Sequence, residues 1–236
     1  MSNRETKPFV SVIIAALNEE AAIAKVVNSV PNNLADEIVV VDNGSKDRTA
    51  EVAALAGARV VREPNPGYGR AFRAGLRSVS PECEIVVFLD GDGSDCPEMM
   101  DRLVTPIVEG QSDFVIGSRT RGTRESGSMN FHQVLAGYMI GFVLQILYGV
   151  HSTDMGPFRA IRLDTLEKLR LREETYGWPL EMQMRAARAH VRTIEVPVDY
   201  RRRAGGHSKI AGTIRGSVLA ATRILVTLAR IAIQRD

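Results

Sequence analysis

Asp90 and Asp92 are the residues whose type and spacing point most directly to chemistry. They close the apolar run Ile85-Val86-Val87-Phe88-Leu89 and are separated by Gly91 alone. Strand residues at i and i+2 share a face, so the two carboxylates project the same way. Carboxylates that close repel unless a cation lies between them. The hard cations Mg²⁺ and Mn²⁺ take oxygen ligands and commonly complete their shell with substrate phosphates. The pair fits a metal–diphosphate site. It fits equally an acidic strand-to-loop turn, because Asp and Gly are ordinary turn residues.

An apolar run without alternation suits a strand buried on both faces of a parallel sheet. Ligands of open α/β sheets bind at the carboxyl ends of such strands. Earlier segments repeat the pattern. Residues 9–16 read as a first buried strand, followed by Leu17-Asn18-Glu19-Glu20 opening a helix with Asn18 as its cap. Residues 37–41 read as a second strand ending in Asp42, followed by the polar turn 43–49 and an alanine-rich helix over 50–56. Residues 59–61 form a short third strand, and the loop 63–70 carries Gly67 and Gly69, which would let backbone approach a phosphate or ribose. A helix over 71–78 then leads to the central strand. The β-α-β-α-β-α-β order predicts a parallel sheet with right-handed crossovers. Glu19, Asp42, the 67–70 loop, Asp90 and Asp92 then converge on one sheet edge. Gly67-Tyr68-Gly69 lacks the third glycine of a dinucleotide fingerprint, and no Walker pattern is present, so nicotinamide and P-loop chemistry are excluded.

Beyond the central strand, a helix over 97–109 packs on the sheet, and Asp113–Arg119 is a strand ending in an arginine. The segment 120–130 reads as a loop. Residues 134–150 are almost wholly apolar and uncharged, at the lower limit for a membrane span; a buried or interfacial helix is the commoner explanation. Thr153–Arg159 reads as a compact turn, residues 164–170 and 182–189 as helices with Glu181 a first-turn acid, and residues 193–198 as a late strand. The loop 199–209 contains Arg201, Arg202, Arg203, His207 and Lys209: an anion clamp able to close over a diphosphate, or a solvated basic surface. Residues 218–233 form an apolar helix with Arg223 and Arg230 on one face, suited to a membrane interface or to a partner subunit in a homo-oligomer.

The 236 residues suit one α/β core with additions, and the net charge of +2 excludes no partner class. Basic residues concentrate toward the carboxyl end, which suggests an anionic partner there. No aromatic residues interleave the basic run, which argues against nucleic acid. Cys83 and Cys96 have neither metal-ligand spacing nor a disulfide framework and read as free thiols in a reducing, cytoplasmic setting.

Taken in order, Ala16-Leu17-Asn18-Glu19, Val40-Val41-Asp42-Asn43-Gly44-Ser45-Lys46-Asp47-Arg48-Thr49, Asn65-Pro66-Gly67-Tyr68-Gly69, Leu89-Asp90-Gly91-Asp92, Gly117-Ser118-Arg119, Thr153–Arg159 and Arg203…Ser208-Lys209 resemble family 2 glycosyltransferases of the GT-A fold, on the branch of polyprenyl- and dolichyl-phosphate mannosyl- and glucosyltransferases. The resemblance spans roughly residues 10–215 and implies a Rossmann-like, mostly parallel sheet flanked by helices. It implies a catalytic domain over 1–215; where relatives often carry transmembrane helices, residues 216–236 read from their own pattern as an amphipathic helix, peripheral at the cytoplasmic face of a membrane. By similarity, Ala16, Leu17, Glu19, Asp42 and Gly44 surround the base and ribose of a UDP- or GDP-sugar, with Asn65, Gly67, Gly69, Asp90 and Gly91 beside them. Asp90 and Asp92 match the metal-binding motif, with Mg²⁺ or Mn²⁺ on the diphosphate. Ser94 stands where relatives often carry Gln. Arg119, Arg159, Arg203 and Lys209 look like the cations that hold the donor diphosphate and an acceptor phosphate. Asp154 occupies the place of a polar residue facing the reacting centre.

An acceptor phosphate is already ionised, so the implied inverting transfer requires no strong base; a hydroxyl acceptor would require one, with Asp154 the candidate. The alternatives are a transferase for a soluble hydroxyl acceptor and a catalytically silent nucleotide-sugar-binding protein.

Overall fold

The computed structural model describes residues 7–204, 226–228, 230 and 231. The first half alternates strictly: β1 (Val10–Ala16), α1 (Ile23–Ser29), β2 (Glu37–Asp42), α2 (Thr49–Leu55), β3 (Arg59–Arg62), α3 (Tyr68–Leu76) and β4 (Ile85–Asp90). A 3-10 turn then leads into α4 (Met100–Val108), β5 (Phe114–Ser118), α5 (Phe131–Tyr148), β6 (Arg159–Arg162), α6 (Leu163–Leu169), α7 (Trp178–Arg188) and β7 (Thr193–Pro197). The seven-stranded sheet runs β3-β2-β1-β4-β6-β5-β7. All pairs are parallel except those of β6, which is antiparallel to β4 and β5.

Both faces of the central strands are covered, as their unbroken apolar runs require. Val12, Ile14, Val40, Val87 and Leu89 pack with Val26 and Val27 of α1 and Leu103 and Ile107 of α4. Their neighbours Ile13, Val39, Val41 and Phe88 point the other way, to Phe72 of α3 and Trp178 of α7. There the rings of Phe72, Phe88 and Trp178 lie 4.7–5.1 Å apart, centroid to centroid. The register sets β1 one pleat ahead of β4, with Ala15 beside Asp90, so the polar ends of β1, β2 and β4 meet at one edge.

Three local expectations differ, and a fourth, the apolar helix, is met. Asn18 caps no helix: it lies in the left-handed region at φ 54°, donates its N–H to Ser45 Oγ at 2.9 Å and accepts from Lys46 N at 2.7 Å. It ties the end of β1 to the turn after β2, and α1 starts only at Ile23. The helix expected from residue 71 begins at Tyr68, which brings Tyr68 into the sheet edge. The compact turn expected over 153–159 ends in a strand, because Arg159 opens β6; four residues flanked by arginines gave no periodic signal. The apolar stretch forms α5, set by a capping box of Asn130 and Gln133 and closed by Gly149 in the left-handed region.

Helix α5 is two-sided. Ile140 and Leu144 pack on Leu180 and Met184 of α7, and Gly141 admits the carbonyl oxygen of Ser152 where a Cβ would collide. On the opposite side Tyr138, Met139, Phe142 and Ile146 are each more than half exposed. No helix among the described residues is long and apolar enough to cross a membrane. Of the expected terminal helix, residues 226–228, 230 and 231 are helical, and Ile231 is buried with α5 and α7. Lys209 and the rest of the 216–236 segment lie outside the described residues.

Candidate active site

At the carboxyl ends of β1, β2 and β4 lies a crevice with about 150 Å³ of free volume. Ala16, Leu17, Glu19, Gly67, Asp90, Gly91, Asp92 and Arg203, all expected around a ligand, line it. Asp42, Gly44, Asn65 and Gly69 stand behind the wall. The Asp42 carboxylate accepts the Ser45 N–H at 2.9 Å, shaping the turn in which Gly44 takes φ 85°. The Asn65 carbonyl accepts the Asn43 side-chain N–H at 2.8 Å. Gly69 is required by another backbone, not by a ligand: a Cβ there would overlap the carbonyl of Glu173.

Negative charge is concentrated at the mouth. Asp90 accepts the Tyr68 hydroxyl at 2.8 Å, and Asp92 accepts the Ser94 N–H at 2.8 Å and its hydroxyl at 2.5 Å. Asp95, buried beneath, accepts the Asp90 N–H at 3.0 Å. Burial, and then the charge of Asp92, push Asp90 up to about 7. Burial and the Asp90 charge likewise raise Asp95 well above the carboxylate range. The positive charge placed among them is Arg203, whose guanidinium reaches Asp92 at 2.8 Å and also binds Glu19. Its Nε is buried with no hydrogen-bond partner among the described residues. The backbone holds this arginine in place, through Arg201 N to Ser94 O at 2.8 Å and Ala204 N to Asp92 O at 3.0 Å.

This donor set suits a hard divalent cation. Oxygen ligands gather there, burial and the neighbouring Asp92 charge raise the Asp90 carboxyl, and a guanidinium already spans two of the acids. Among the described residues no group of three or more His, Cys, Asp or Glu is arranged to hold a metal. The protein would therefore supply Asp90 and Asp92, leaving other positions for water and phosphate oxygens.

A second charged centre lies behind β5 and β6. Arg119 binds Asp154 through Nε and Nη2, both at 2.7 Å. Asp154 also accepts the backbone N–H of Arg119 at 2.9 Å and of Met155 at 2.8 Å. Burial works against its charge, but the Arg119 guanidinium and these N–H groups hold Asp154 below the usual carboxylate range. Arg119 in turn lies over the Tyr200 ring, 4.9 Å from its centroid, and Tyr200 meets Ser94 at 3.0 Å. Arg119 and Asp154 are thus joined to the Asp92 loop through one tyrosine. Arg159 is placed otherwise than expected of a phosphate-binding cation. As the first residue of β6 it is fully buried, with its guanidinium on the carbonyls of Gly156 and Pro179. Burial pushes it down to about 10.

Sequence reasoning missed four side chains. Asn43 crosslinks the crevice wall, donating to Glu63 O and Asn65 O and accepting from Gly67 N at 2.8 Å. Its place directly after a strand-ending acid was the available signal. Tyr68 orients Asp90, and Tyr176 stacks on Tyr68 at 6.2 Å to line the crevice. Tyr176 is brought in by the start of α7, with no local mark in the sequence. Tyr200 was hidden in a run dominated by arginine.

Comparison with known proteins agrees with this geometry. Residues 11–170 match the model of Glycosyl transferase family 2. The chain is 36% identical over 213 residues, 89% of its length and 94% of the relative's, to an uncharacterised glycosyltransferase of Mycobacterium tuberculosis (strain ATCC 25618 / H37Rv). It is 34% identical over 205 residues, 83% of this chain and 84% of the other, to a dolichyl-phosphate hexose transferase of Haloferax volcanii. Among solved structures, it superposes on glucosyl-3-phosphoglycerate synthase from Mycobacterium tuberculosis, in complex with Mn²⁺, uridine diphosphate and glucosyl-3-phosphoglycerate. That match has a TM-score of 0.76 at 24% identity and covers 97% of this chain and 81% of that one.

Proposed function

The chain belongs to glycosyl transferase family 2, with the GT-A fold, and from that premise we propose that it moves a hexose from a UDP- or GDP-sugar to a polyprenyl phosphate. The donor occupies the crevice between Leu17, Glu19, Tyr68 and Tyr176, with its diphosphate toward Asp90, Asp92 and Arg203. A divalent metal, Mn²⁺ or Mg²⁺, neutralises the diphosphate and makes the nucleotide a better leaving group when bound. Asp90 and Asp92 hold it, and Tyr68 and Ser94 fix their orientation. Arg203 exchanges its carboxylate partners for the phosphate oxygens, a bidentate contact for which a guanidinium is shaped. Lys209 belongs to the same basic segment and is assigned to the acceptor phosphate.

One observation carries the acceptor: the Asp154 carboxylate is saturated by Arg119 and two backbone N–H groups, and is held ionised. A hydroxyl acceptor needs a base, and Asp154 is poorly suited to take its proton. A phosphate acceptor needs none. It attacks as an anion, and catalysis rests on positioning and on stabilising the departing diphosphate. In-line attack inverts the anomeric carbon. The apolar outer face of α5, a helix whose inner face is seated on the 152–154 segment that carries Asp154, supports a lipid acceptor and a peripheral place on a membrane. The dolichyl-phosphate hexose transferase relative supports the same acceptor class.

The test is nucleotide release from a panel of UDP- and GDP-sugars with Mn²⁺, with and without a short polyprenyl phosphate. Release that requires metal and lipid together and disappears in Asp92→Ala is expected. Release stimulated only by a soluble hydroxyl or phosphoglycerate acceptor would overturn the lipid assignment. Failure to bind any nucleotide would overturn the enzyme reading of the crevice.

A further inference from the structure

Glu173 and Glu181 are buried carboxylates that the proposed reaction does not use. Glu181 is fully buried and accepts the N–H groups of Arg172 and Glu173 at 2.8 and 2.6 Å, and Arg185 Nε at 3.0 Å. Glu173 accepts from Thr175 N and Oγ1, and from two residues far along the chain: Thr227 Oγ1 at 3.1 Å and Arg230 Nη2 at 2.8 Å. The terminal segment is seated closely. A Cβ on Gly177 would come within 2.5 Å of Thr227 Oγ1. Ile231 is buried among Ile140, Leu144, Leu180 and Met184, and its carbonyl accepts from Arg188 at 2.5 Å.

The other side of the 173–176 segment forms the crevice wall. Arg70 N donates to Glu174 O at 3.1 Å, and the Arg70 side chain pairs with the Glu174 carboxylate at 2.6 Å. Gly67 and Gly69 are glycines because the carbonyls of Glu174 and Glu173 lie against them. Between these contacts stands Tyr68, whose hydroxyl orients Asp90, and stacked on it is Tyr176. A continuous set of contacts therefore runs from Arg230 and Thr227, through Glu173, to Tyr176, Tyr68 and Asp90.

We propose that Arg230 and Thr227 are positioning residues for the donor site: by holding Glu173 they set the 173–176 backbone against Gly67–Arg70 and so fix the tyrosine wall on which the nucleotide diphosphate binds. The terminal segment is then a functional part of the catalytic domain, and any partner that binds it acts on donor affinity. Burial opposes the charge of Glu173, but hydrogen bonds from Thr175 and Thr227 and the charge of Arg230 hold it below its ordinary value. An anion this buried exerts a specific pull on Arg230.

The inference rests on the donor reading above, and its test separates the two. Full-length Arg230→Met, Arg230→Lys and Thr227→Val are compared with wild type by calorimetric titration of UDP in Mn²⁺, by donor KM and kcat, and by amide exchange over 66–71 and 173–177. Arg230→Met is expected to weaken UDP on the order of tenfold, the size of a typical coupling between sites. It raises donor KM more than it lowers kcat, and it speeds exchange at 67–71. Arg230→Lys restores most of the affinity, and Thr227→Val moves it in the same direction by less. Wild-type UDP affinity together with wild-type exchange at 67–71 in Arg230→Met would overturn the proposal. So would an equal loss in Arg230→Lys. If wild type binds neither UDP nor GDP, the donor reading falls, and exchange at 67–71 still decides whether Arg230 sets that wall.

Discussion

Replacing Asp154 with asparagine removes one charge from a pair that is almost sealed from water. The side chains of Asp154 and Arg119 are 2% and 12% exposed, and two 2.7 Å bonds join them. Screening is slight at such exposure, so the estimate for a broken buried pair applies: about 3–5 kcal/mol, because Arg119 keeps its charge without its partner. Asparagine retains one acceptor oxygen, which places the loss toward the lower figure. For a chain this long each kcal/mol shifts the melting temperature by about 2–4 °C, so a drop of roughly 6–12 °C is expected at pH 7. The sign with pH follows from the depressed folded value of Asp154. Its contribution is complete above the unfolded carboxylate value of about 4 and fades as pH falls through the lower folded value. The wild-type and variant melting curves therefore converge below pH 4. Thermal melts across pH 3–8, with Arg119→Met/Asp154→Leu as a double variant, test this. The double variant should be more stable than Asp154→Leu alone, because the orphaned charge is gone. Activity gives the second half of the test. A positioning anion leaves the pH profile of the residual rate unchanged, whereas a lost base makes that rate climb with pH. A melting shift below about 2 °C with a rate restored at high pH would refute the structural assignment of Asp154.

The remaining predictions concern the metal pair, two glycines, the thiols and the apolar helix face. Asp90→Asn or Asp92→Asn should weaken Mn²⁺ binding at least about tenfold by electron paramagnetic titration, while Arg203→Met, which frees Asp92 from its guanidinium, should bind Mn²⁺ alone no worse and UDP more weakly. Gly69→Ala, forced against the Glu173 carbonyl, should damage nucleotide binding. Gly57→Ala, at φ 94° with open space around it, should cost only about 1 kcal/mol of stability and leave binding intact. Cys83 and Cys96 are both buried, and burial pushes the Cys96 thiol up to about 11, so neither should react with a thiol reagent at pH 8 until the protein unfolds. Phe142→Glu with Ile146→Glu should leave the melting temperature within about 2 °C of wild type, as surface changes do. The same pair should abolish co-sedimentation with vesicles and turnover of long-chain polyprenyl phosphate.

The first half of the fold was legible because its strands are mostly unbroken apolar runs and each helix is short, preceded by a polar turn and confined between strands. Those features gave the β-α alternation through β4, its parallel pairing and the convergence of Glu19, Asp90 and Asp92 at one edge. β6 was not legible: Arg159-Ala160-Ile161-Arg162 has no period of its own and becomes a strand only because β4 and β5 offer antiparallel partners. For the same reason Arg159, an arginine that reads as a phosphate ligand, is a buried brace under α7. Gly67 and Gly69 were read as letting backbone approach a phosphate or ribose; the group packed against them is the backbone of 173–174, more than one hundred residues away in sequence. Tyr68 and Tyr176 were missed because the first sits in a loop motif and the second has no neighbours that share its role. Charge spacing shows where acids gather; only packing shows which of them are already neutralised, as Asp154 is by Arg119.

The most direct test of the proposed transfer is the fate of the sugar itself. The protein is incubated with Mn²⁺, hexose-labelled UDP- and GDP-sugars, and an equimolar mixture of a short polyprenyl phosphate, 3-phosphoglycerate and glycerol, and the label is followed into organic and aqueous products. The proposed transfer predicts label in the organic phase, joined to the lipid phosphate with inverted anomeric configuration and absent with Asp92→Ala. Label confined to a water-soluble product, or retained anomeric configuration, would contradict it.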